Sequence, residues 1–329
     1  MKAIVQEGYG SPDVLKLREI EKPVVGDDCV LVRVRAASVN AADWHLMGRL
    51  PQLIGVLLRS SRSSVRGFDV AGHVEAIGTN VTRFKPGDEV FGTGLGTFAE
   101  YATAFEDRLA PKPRNLTFEQ AAAIPIAGFT ALQGLRDAAH LQPGQRVLIY
   151  GAGGGVGTFA VQIAKSLGAH VTAVSSTKNV DLVRSIGADE VIDYTKEDFT
   201  KRGQRYDILF DIGANRSFAD CRRVLAPNGT LVLVGAPSGL WAVLWRLLKA
   251  QLMSRVGSQR IASFLARARH EDLVVLKELV EAGKLSPVID RQYPLSEVPD
   301  AIRYVGTRHA RGKVVIRQGS LGFENQPSR

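Results

Sequence analysis

Apolar residues fill every position of Val147–Tyr150, then recur at helical spacing through Phe159, Val161, Ile163, Ala164 and Leu167. They close on a second short run, Val171–Val174. An uninterrupted apolar run suits a strand buried on both faces, and the longer spacing suits a helix with one buried face. Between the first run and the helix lie Gly151, Gly153, Gly154, Gly155 and Gly157, and Gly168 stops the helix. The pattern predicts a strand–helix–strand unit whose turn opens directly onto a helix N-terminus. Unpaired N–H groups and the helix dipole there can hold a pyrophosphate without any side-chain charge.

The rest of the chain divides around that unit. Up to about residue 120 there is no long helical pattern. Lys2–Gln6, Leu15–Glu19, Cys29–Ala37, Gly72–Ile77, Glu89–Gly92 and Ala99–Thr103 read as strands broken by turns such as Lys85-Pro86-Gly87-Asp88. Thr117–Leu135 reads as helix-prone. Beyond Val174, helices are expected at Asn179–Ile186 and Phe218–Leu225, with strands at Glu190–Asp193, Tyr206–Asp211 and Thr230–Gly235. Strands alternating with helices predict an α/β fold with a doubly wound parallel sheet of the Rossmann type. Glu271–Ala282 follows as an amphipathic helix. Lys313–Arg317 is a strand expected to return to the N-terminal domain, making it discontinuous. The expected boundaries are a β-rich domain at 1–122, a Rossmann domain at 123–267, and a return with a polar tail at 268–329.

Composition narrows the setting. The chain has 329 residues and only two cysteines, Cys29 and Cys221, which exclude a disulfide framework or a four-cysteine zinc lobe. No signal peptide is visible, and a reduced, cytoplasmic location is the expectation. The stretch Leu240–Val256 is apolar but interrupted by Arg246, Lys249 and Arg255, so no transmembrane segment is expected. A net charge of +9 raises nucleic-acid binding, yet the basic residues are scattered and no recognition motif accompanies them. A pocket for a polyanionic cofactor accounts for the charge, and no nucleic-acid partner is expected.

The glycines fit the register Ala152-x-Gly154-x-x-Gly157, with alanine in the first place, so Ala152, Gly153, Gly154, Gly155, Val156 and Gly157 are the expected dinucleotide cradle. An NAD site places Asp or Glu at the end of the second strand to hold ribose hydroxyls. Here that place reads Ser175-Ser176-Thr177-Lys178. There is no carboxylate to repel a 2′-phosphate, and Lys178 can make a charge-assisted bond to one. A solvated Ser/Thr/Lys turn reads the same way, so these residues by themselves leave NADPH and NADH open. Gly213 and Gly235 follow strands whose carboxyl ends face the ligand side of such sheets.

These stretches, with Asn40-Ala-Ala-Asp43, GFDVAGHVEAIG, KPGDEVFG, GTFAEY, AAAIPIAGFTALQGL, GADEVIDY and HARGKVVI, resemble the medium-chain dehydrogenase/reductase superfamily. Within it they resemble the zinc-independent quinone reductase branch that includes zeta-crystallin. The resemblance implies a split GroES-like catalytic domain, a Rossmann domain and a cofactor cleft between them. It also implies a 2′-phosphate held by serine and lysine at Ser175, Ser176 and Lys178 and by Tyr194, so NADPH is expected over NADH, with Thr130 near the cofactor and a homodimer. Lys313 is a further cofactor candidate by position, with a solvated lysine as the alternative. Zinc-dependent relatives carry a cysteine where Asn40 stands and a histidine where Phe68 stands; neither residue here can hold tetrahedral Zn²⁺, so no metal is expected.

Without a Lewis acid, hydride is expected to go to an acceptor that spreads charge by itself, a hydrophobic quinone or an α,β-unsaturated carbonyl. Asn40 is the expected hydrogen-bond donor and His45 a candidate proton donor. Asp43 is expected to be structural. A metal-free alcohol or carbonyl reductase and a non-catalytic NADPH-binding sensor or scaffold are the alternatives. Met47–Arg66 and Leu240–Arg255 are the segments expected to shape a bulky, hydrophobic acceptor site.

Overall fold

The structure, a computed structural model, describes residues 1–45, 47, 65–234 and 258–319. The chain divides into two units. One comprises Met1–Pro125, Ile289–His309 and the chain from Lys313 onward; the other comprises Ile126–Val288 and Ala310–Gly312. Gly235 and the segment Leu240–Arg255 lie outside the described residues, as does most of Met47–Arg66.

The first unit is built on Cys29–Val39, an eleven-residue strand whose apolar side chains are buried along most of its length. It pairs antiparallel with Asp69–Ile77, Tyr101–Phe105 and Lys313–Arg317. The main path of this seven-stranded sheet runs Ile289–Pro294, Lys313–Arg317, Cys29–Val39, Asp69–Ile77, Glu89–Thr93 and Leu109–Pro111, with Tyr101–Phe105 paired off it against Cys29–Val39. A separate two-stranded ribbon joins Lys2–Gln6 to Leu15–Glu19. The central strand continues past Ala37 to Val39 because a returning strand supplies partners there. Val314 faces Val39, Val315 faces Ser38, and on the other side Ser38 faces Asp69. That register brings residues from three distant parts of the sequence to one strand end.

The second unit holds six strands in the order Glu190–Asp193, His170–Ser175, Arg146–Tyr150, Tyr206–Asp211, Leu225–Leu233 and Arg260–Ser263. Every pairing is parallel. Chain order reverses between Arg146–Tyr150 and Tyr206–Asp211, the switch point where ligands of doubly wound sheets bind. Leu148, Val174, Ile192, Phe199, Tyr206, Leu209 and Leu231 form a core cluster with near-zero exposure. Burial on both faces explains why these strands read as apolar runs.

Several expected elements change at their ends. Thr117–Leu135 is not one helix. Thr117 caps Phe118–Ala122 through a reciprocal box with Gln120, and a second helix spans Pro125–Gln133 before a wide turn through Ala138. Pro125 lacks the N–H needed to continue the first helix, so the break falls there. The helix expected to reach Leu225 stops at Arg223, and Leu225 opens the long strand Leu225–Leu233. Leu109–Pro111, Arg260–Ser263, Ile289–Pro294 and the helix Val298–Gly306 were not anticipated. The units divide at 125/126 and 288/289 rather than at 122/123 and 267/268. The helix His270–Glu281 stays with the second unit because buried Asp272 accepts a 2.7 Å hydrogen bond from Gln133 Nε2 and pairs with Arg136 at 2.8 Å. Among the described residues no helix is long and apolar enough to cross a membrane.

Candidate active site

At the switch point, Gly151 turns the chain with φ 92°, and extended Gly154 caps the helix Gly155–Ser166. The first N–H groups of that helix have no acceptor within it. Helix and turn pack so closely that a Cβ on Gly157 would lie 2.2 Å from Gly151 O. At Gly154 the nearest atom a Cβ would meet is Gly151 O, at 3.6 Å, so the protein itself leaves that side open. Ala152 is fully buried and fixes the turn from beneath. A backbone cradle of this kind, closed behind and open in front, fits a pyrophosphate.

The end of the second strand brings four expected residues together. Ser175 is buried in register with Asp193, and its carbonyl accepts from Tyr194 N at 3.0 Å. Ser176 leads into a single turn, Thr177–Asn179, on which Lys178 is exposed, and the Tyr194 side chain is 46% exposed. One carboxylate stands close that the sequence reading did not single out. Asp193 accepts from Thr177 Oγ1 at 2.6 Å, Thr195 Oγ1 at 2.7 Å and Thr195 N at 3.0 Å. The Thr177 hydroxyl leads the interactions that hold its pKa below the usual carboxylate range. Its lone pairs are spent on this turn rather than presented at the end of His170–Ser175.

Two other candidates have local roles. Thr130 Oγ1 donates back to Ile126 O at 2.7 Å, one helical turn earlier. Gly213 donates its N–H to Tyr150 O, and a Cβ there would press into the Tyr150 ring at 2.6 Å. Two open surface hollows, one along Phe105–Arg108 and one beside Phe264 and Leu265, contain none of the expected site residues.

The first unit holds a buried polar cluster at the end of its central strand. Lys313, 3% exposed, donates from Nζ to Asn40 Oδ1 at 2.6 Å, to Val39 O at 3.3 Å and to Asp69 Oδ2 at 3.3 Å. Asp69 Oδ2 also accepts from Ser38 Oγ at 2.6 Å and from Asn40 Nδ2 at 2.8 Å. The amide of Asn40 is thereby fixed in orientation, oxygen toward the ammonium and nitrogen toward the carboxylate. Lys313, a cofactor candidate in the sequence, sets its ammonium against Asn40 and Asp69. Asp69 was missed, although a carboxylate inside the apolar run Phe68–Val70 is a detectable signal. This donor set does not suit zinc. Asn40 and Phe68 offer neither thiolate nor imidazole, and the Lys313 ammonium already lies within hydrogen-bond reach of the Asn40 and Asp69 oxygens.

Asp43, on the short helix Ala41–His45, is buried. Its Oδ2 accepts from Asn40 N at 2.7 Å, while its buried Oδ1 has no partner among the described residues. Burial pushes its carboxyl up to about 7, opposed by the Asn40 N–H and reinforced by nearby Asp69. In the unfolded chain the group titrates near 4, so between these pH values only the folded state holds the proton. Unfolding free energy should therefore fall as pH rises from about 4 to about 7, by up to roughly 1.4 kcal/mol per pH unit from this group. Asp43→Asn removes that slope. The stability of the natural chain relative to the variant should drop between pH 5 and pH 8 in thermal melts, and an unchanged difference would refute the assignment. His45 ends the same helix; desolvation, then the Arg308 guanidinium, lowers its pKa and favours the neutral ring.

A discontinuous β-rich unit and a six-stranded parallel unit with a glycine turn at its switch point define the architecture of a medium-chain dehydrogenase/reductase. Residues 26–114 match the family described as an alcohol dehydrogenase GroES-like domain, and residues 186–316 match one described as a zinc-binding dehydrogenase. The NADPH-dependent alkenal/one oxidoreductase, chloroplastic, of Arabidopsis thaliana is 35% identical over 96% of this chain and 79% of that protein. The human NAD(P)H oxidoreductase RTN4IP1, mitochondrial, is 34% identical over 96% of this chain and 89% of its own. A quinone oxidoreductase structure from Coxiella burnetii superposes with a TM-score of 0.85 at 31% identity, covering 96% of this chain and 99% of that one. The chain belongs to the medium-chain dehydrogenase/reductase superfamily, in its quinone oxidoreductase-like branch. It is an oxidoreductase with an NAD(P)-binding domain.

Proposed function

We propose that this oxidoreductase uses NADPH to reduce quinones or activated C=C bonds of α,β-unsaturated carbonyls. The observation that carries the reading is the donor set at Asn40. An oriented amide, backed by Lys313 and Asp69, stands where zinc-dependent relatives have a metal ligand. The reduced nicotinamide supplies hydride. The Ala152–Gly157 backbone holds the pyrophosphate, and Ser176, Lys178 and Tyr194 hold the adenosine 2′-phosphate. Asn40 Nδ2 carries a second hydrogen beyond the one given to Asp69, and it donates to the acceptor oxygen as negative charge gathers there. A conjugated acceptor delocalises that charge and takes its proton from water or a nearby acid, so one neutral donor suffices. The names of the Arabidopsis and Coxiella relatives, an alkenal/one oxidoreductase and a quinone oxidoreductase, support this substrate class.

The test is nucleotide oxidation over quinones, enones and saturated aldehydes with product identification. Saturated ketones or hydroquinones are expected, and alcohol products from enones would reject the reading. Lys178→Ala should raise the KM for NADPH by about tenfold, the size of one hydrogen bond to a charged group, while leaving that for NADH nearly unchanged. Equal losses for the two nucleotides would remove the 2′-phosphate assignment.

A further inference from the structure

We propose that the outer face of the first unit's sheet binds a dianionic tetrahedral oxyanion, a phosphate or sulfate group, between Arg33, Arg35 and His73. Strand pairing sets one row of side chains across this face. Tyr101 stands opposite Arg33, Arg33 opposite His73, and His73 opposite Glu89. Along Cys29–Val39 the valines at 32 and 34 are buried, and the alternate positions Arg33 and Arg35 are half-buried on the other side. The short helix Phe118–Ala122 forms one wall. The Phe118 ring lies 4.9 Å from the His73 ring and 5.9 Å from the Arg35 guanidinium. Beyond the other end of the row, the Lys22 ammonium lies 4.0 Å above the Tyr101 ring and bonds to Glu75 at 2.7 Å.

Two observations point to a ligand. Arg33 Nε and His73 Nδ1 are buried, belong to residues directly opposite one another, and have no hydrogen-bond partner among the described residues. Buried polar atoms of folded proteins are otherwise paired. The charges are also unbalanced. Lys22 pairs with Glu75 at 2.7 Å and Lys112 with Glu89 at 3.2 Å, whereas among the described residues no carboxylate pairs with Arg33 or Arg35. Like charges on facing strands repel. A dianion whose oxygens match the guanidinium fork relieves that repulsion and satisfies the orphaned atoms, whereas a water does only the second. Desolvation, then the Arg33 guanidinium, holds the His73 pKa below its ordinary value; Arg35 and Lys112 add to this, and Glu89, 3.8 Å from Nε2, opposes it. An oxyanion beside Nδ1 reverses the balance and favours the imidazolium, which donates from Nδ1 to the ligand and turns Nε2–H toward Glu89.

The test exchanges chloride for sulfate, whose charge is constant near neutral pH, at fixed ionic strength on the full-length protein. The imidazole NMR signals of His73, assigned through His73→Gln, report binding at the site itself. They should shift to saturation, and the His73 pKa should rise by about one unit, so that sulfate binds roughly tenfold tighter below that pKa than above it. Arg33→Gln and Arg35→Gln should each weaken sulfate about tenfold, and having two variants keeps the test open if one fails to fold. Inorganic phosphate and phenyl phosphate are titrated in the same way. Binding of phosphate alone assigns a free ion, and binding of both assigns a phosphomonoester. A shift that grows linearly with sulfate would be bulk screening and would overturn the proposal, as would an unmoved His73 pKa. A saturable shift that survives both arginine replacements would place the anion elsewhere and overturn it too.

Discussion

Replacing Lys313 by methionine should lower the unfolding free energy of the first unit by about 3–5 kcal/mol, the loss expected when one member of a buried ion pair is removed. The side chains of Lys313 and Asp69 are 3% and 0% exposed. Without the ammonium, the buried Asp69 charge would lose its cationic partner while still accepting from the Ser38 hydroxyl and the Asn40 amide, and Asn40 Oδ1 would lose its donor. Adding Asp69→Asn should restore most of the loss, because a neutral amide oxygen still accepts from Ser38 and Asn40 and leaves no stranded charge. Urea unfolding of the single and double variants measures the coupling directly. A cost below about 1 kcal/mol for Lys313→Met would show that the pair matters little to the fold.

Gly157→Ala should reduce both stability and nucleotide use, with kcat/KM falling roughly 100-fold as the turn is pushed out of place. The three atoms nearest the added methyl are all backbone, with Gly151 O at 2.2 Å and Ala152 O at 2.6 Å, so a side-chain rotation cannot relieve the clash. Gly154→Ala gives the contrasting result. Its φ of −90° is open to alanine and its Cβ has room, so the fold should be kept while nucleotide affinity falls because the methyl stands where phosphate approaches. Normal affinity in that variant would mean that the cofactor does not lie against Gly154.

Those glycines were legible in the sequence because the turn and its two strands are local, spanning fewer than thirty residues. The same holds for Ser175–Lys178, where chemistry and element lie side by side. The buried cluster was legible only in part. Asn40 was found through the family pattern, but its partners lie 29 and 273 positions away, and no local spacing joins them. Arg260–Ser263 and Ile289–Pro294 escaped for a related reason. Both lie at sheet edges, carry charged residues, and become strands through the neighbour each pairs with. Val298–Gly306 was hidden by Pro299, which disfavours a helix interior but is welcome in the first turn, where it stands.

The insertion of Lys313–Arg317 between Cys29–Val39 and Ile289–Pro294 also orders events on the ribosome. All six strands of the parallel unit have been synthesised by Ser263, some fifty residues before Lys313 emerges. The unit that begins first in the chain is therefore completed second. Until then the Asp69 and Asn40 side chains lack their ammonium partner, and the Ala36–Val39 end of the central strand keeps one edge exposed to neighbouring chains.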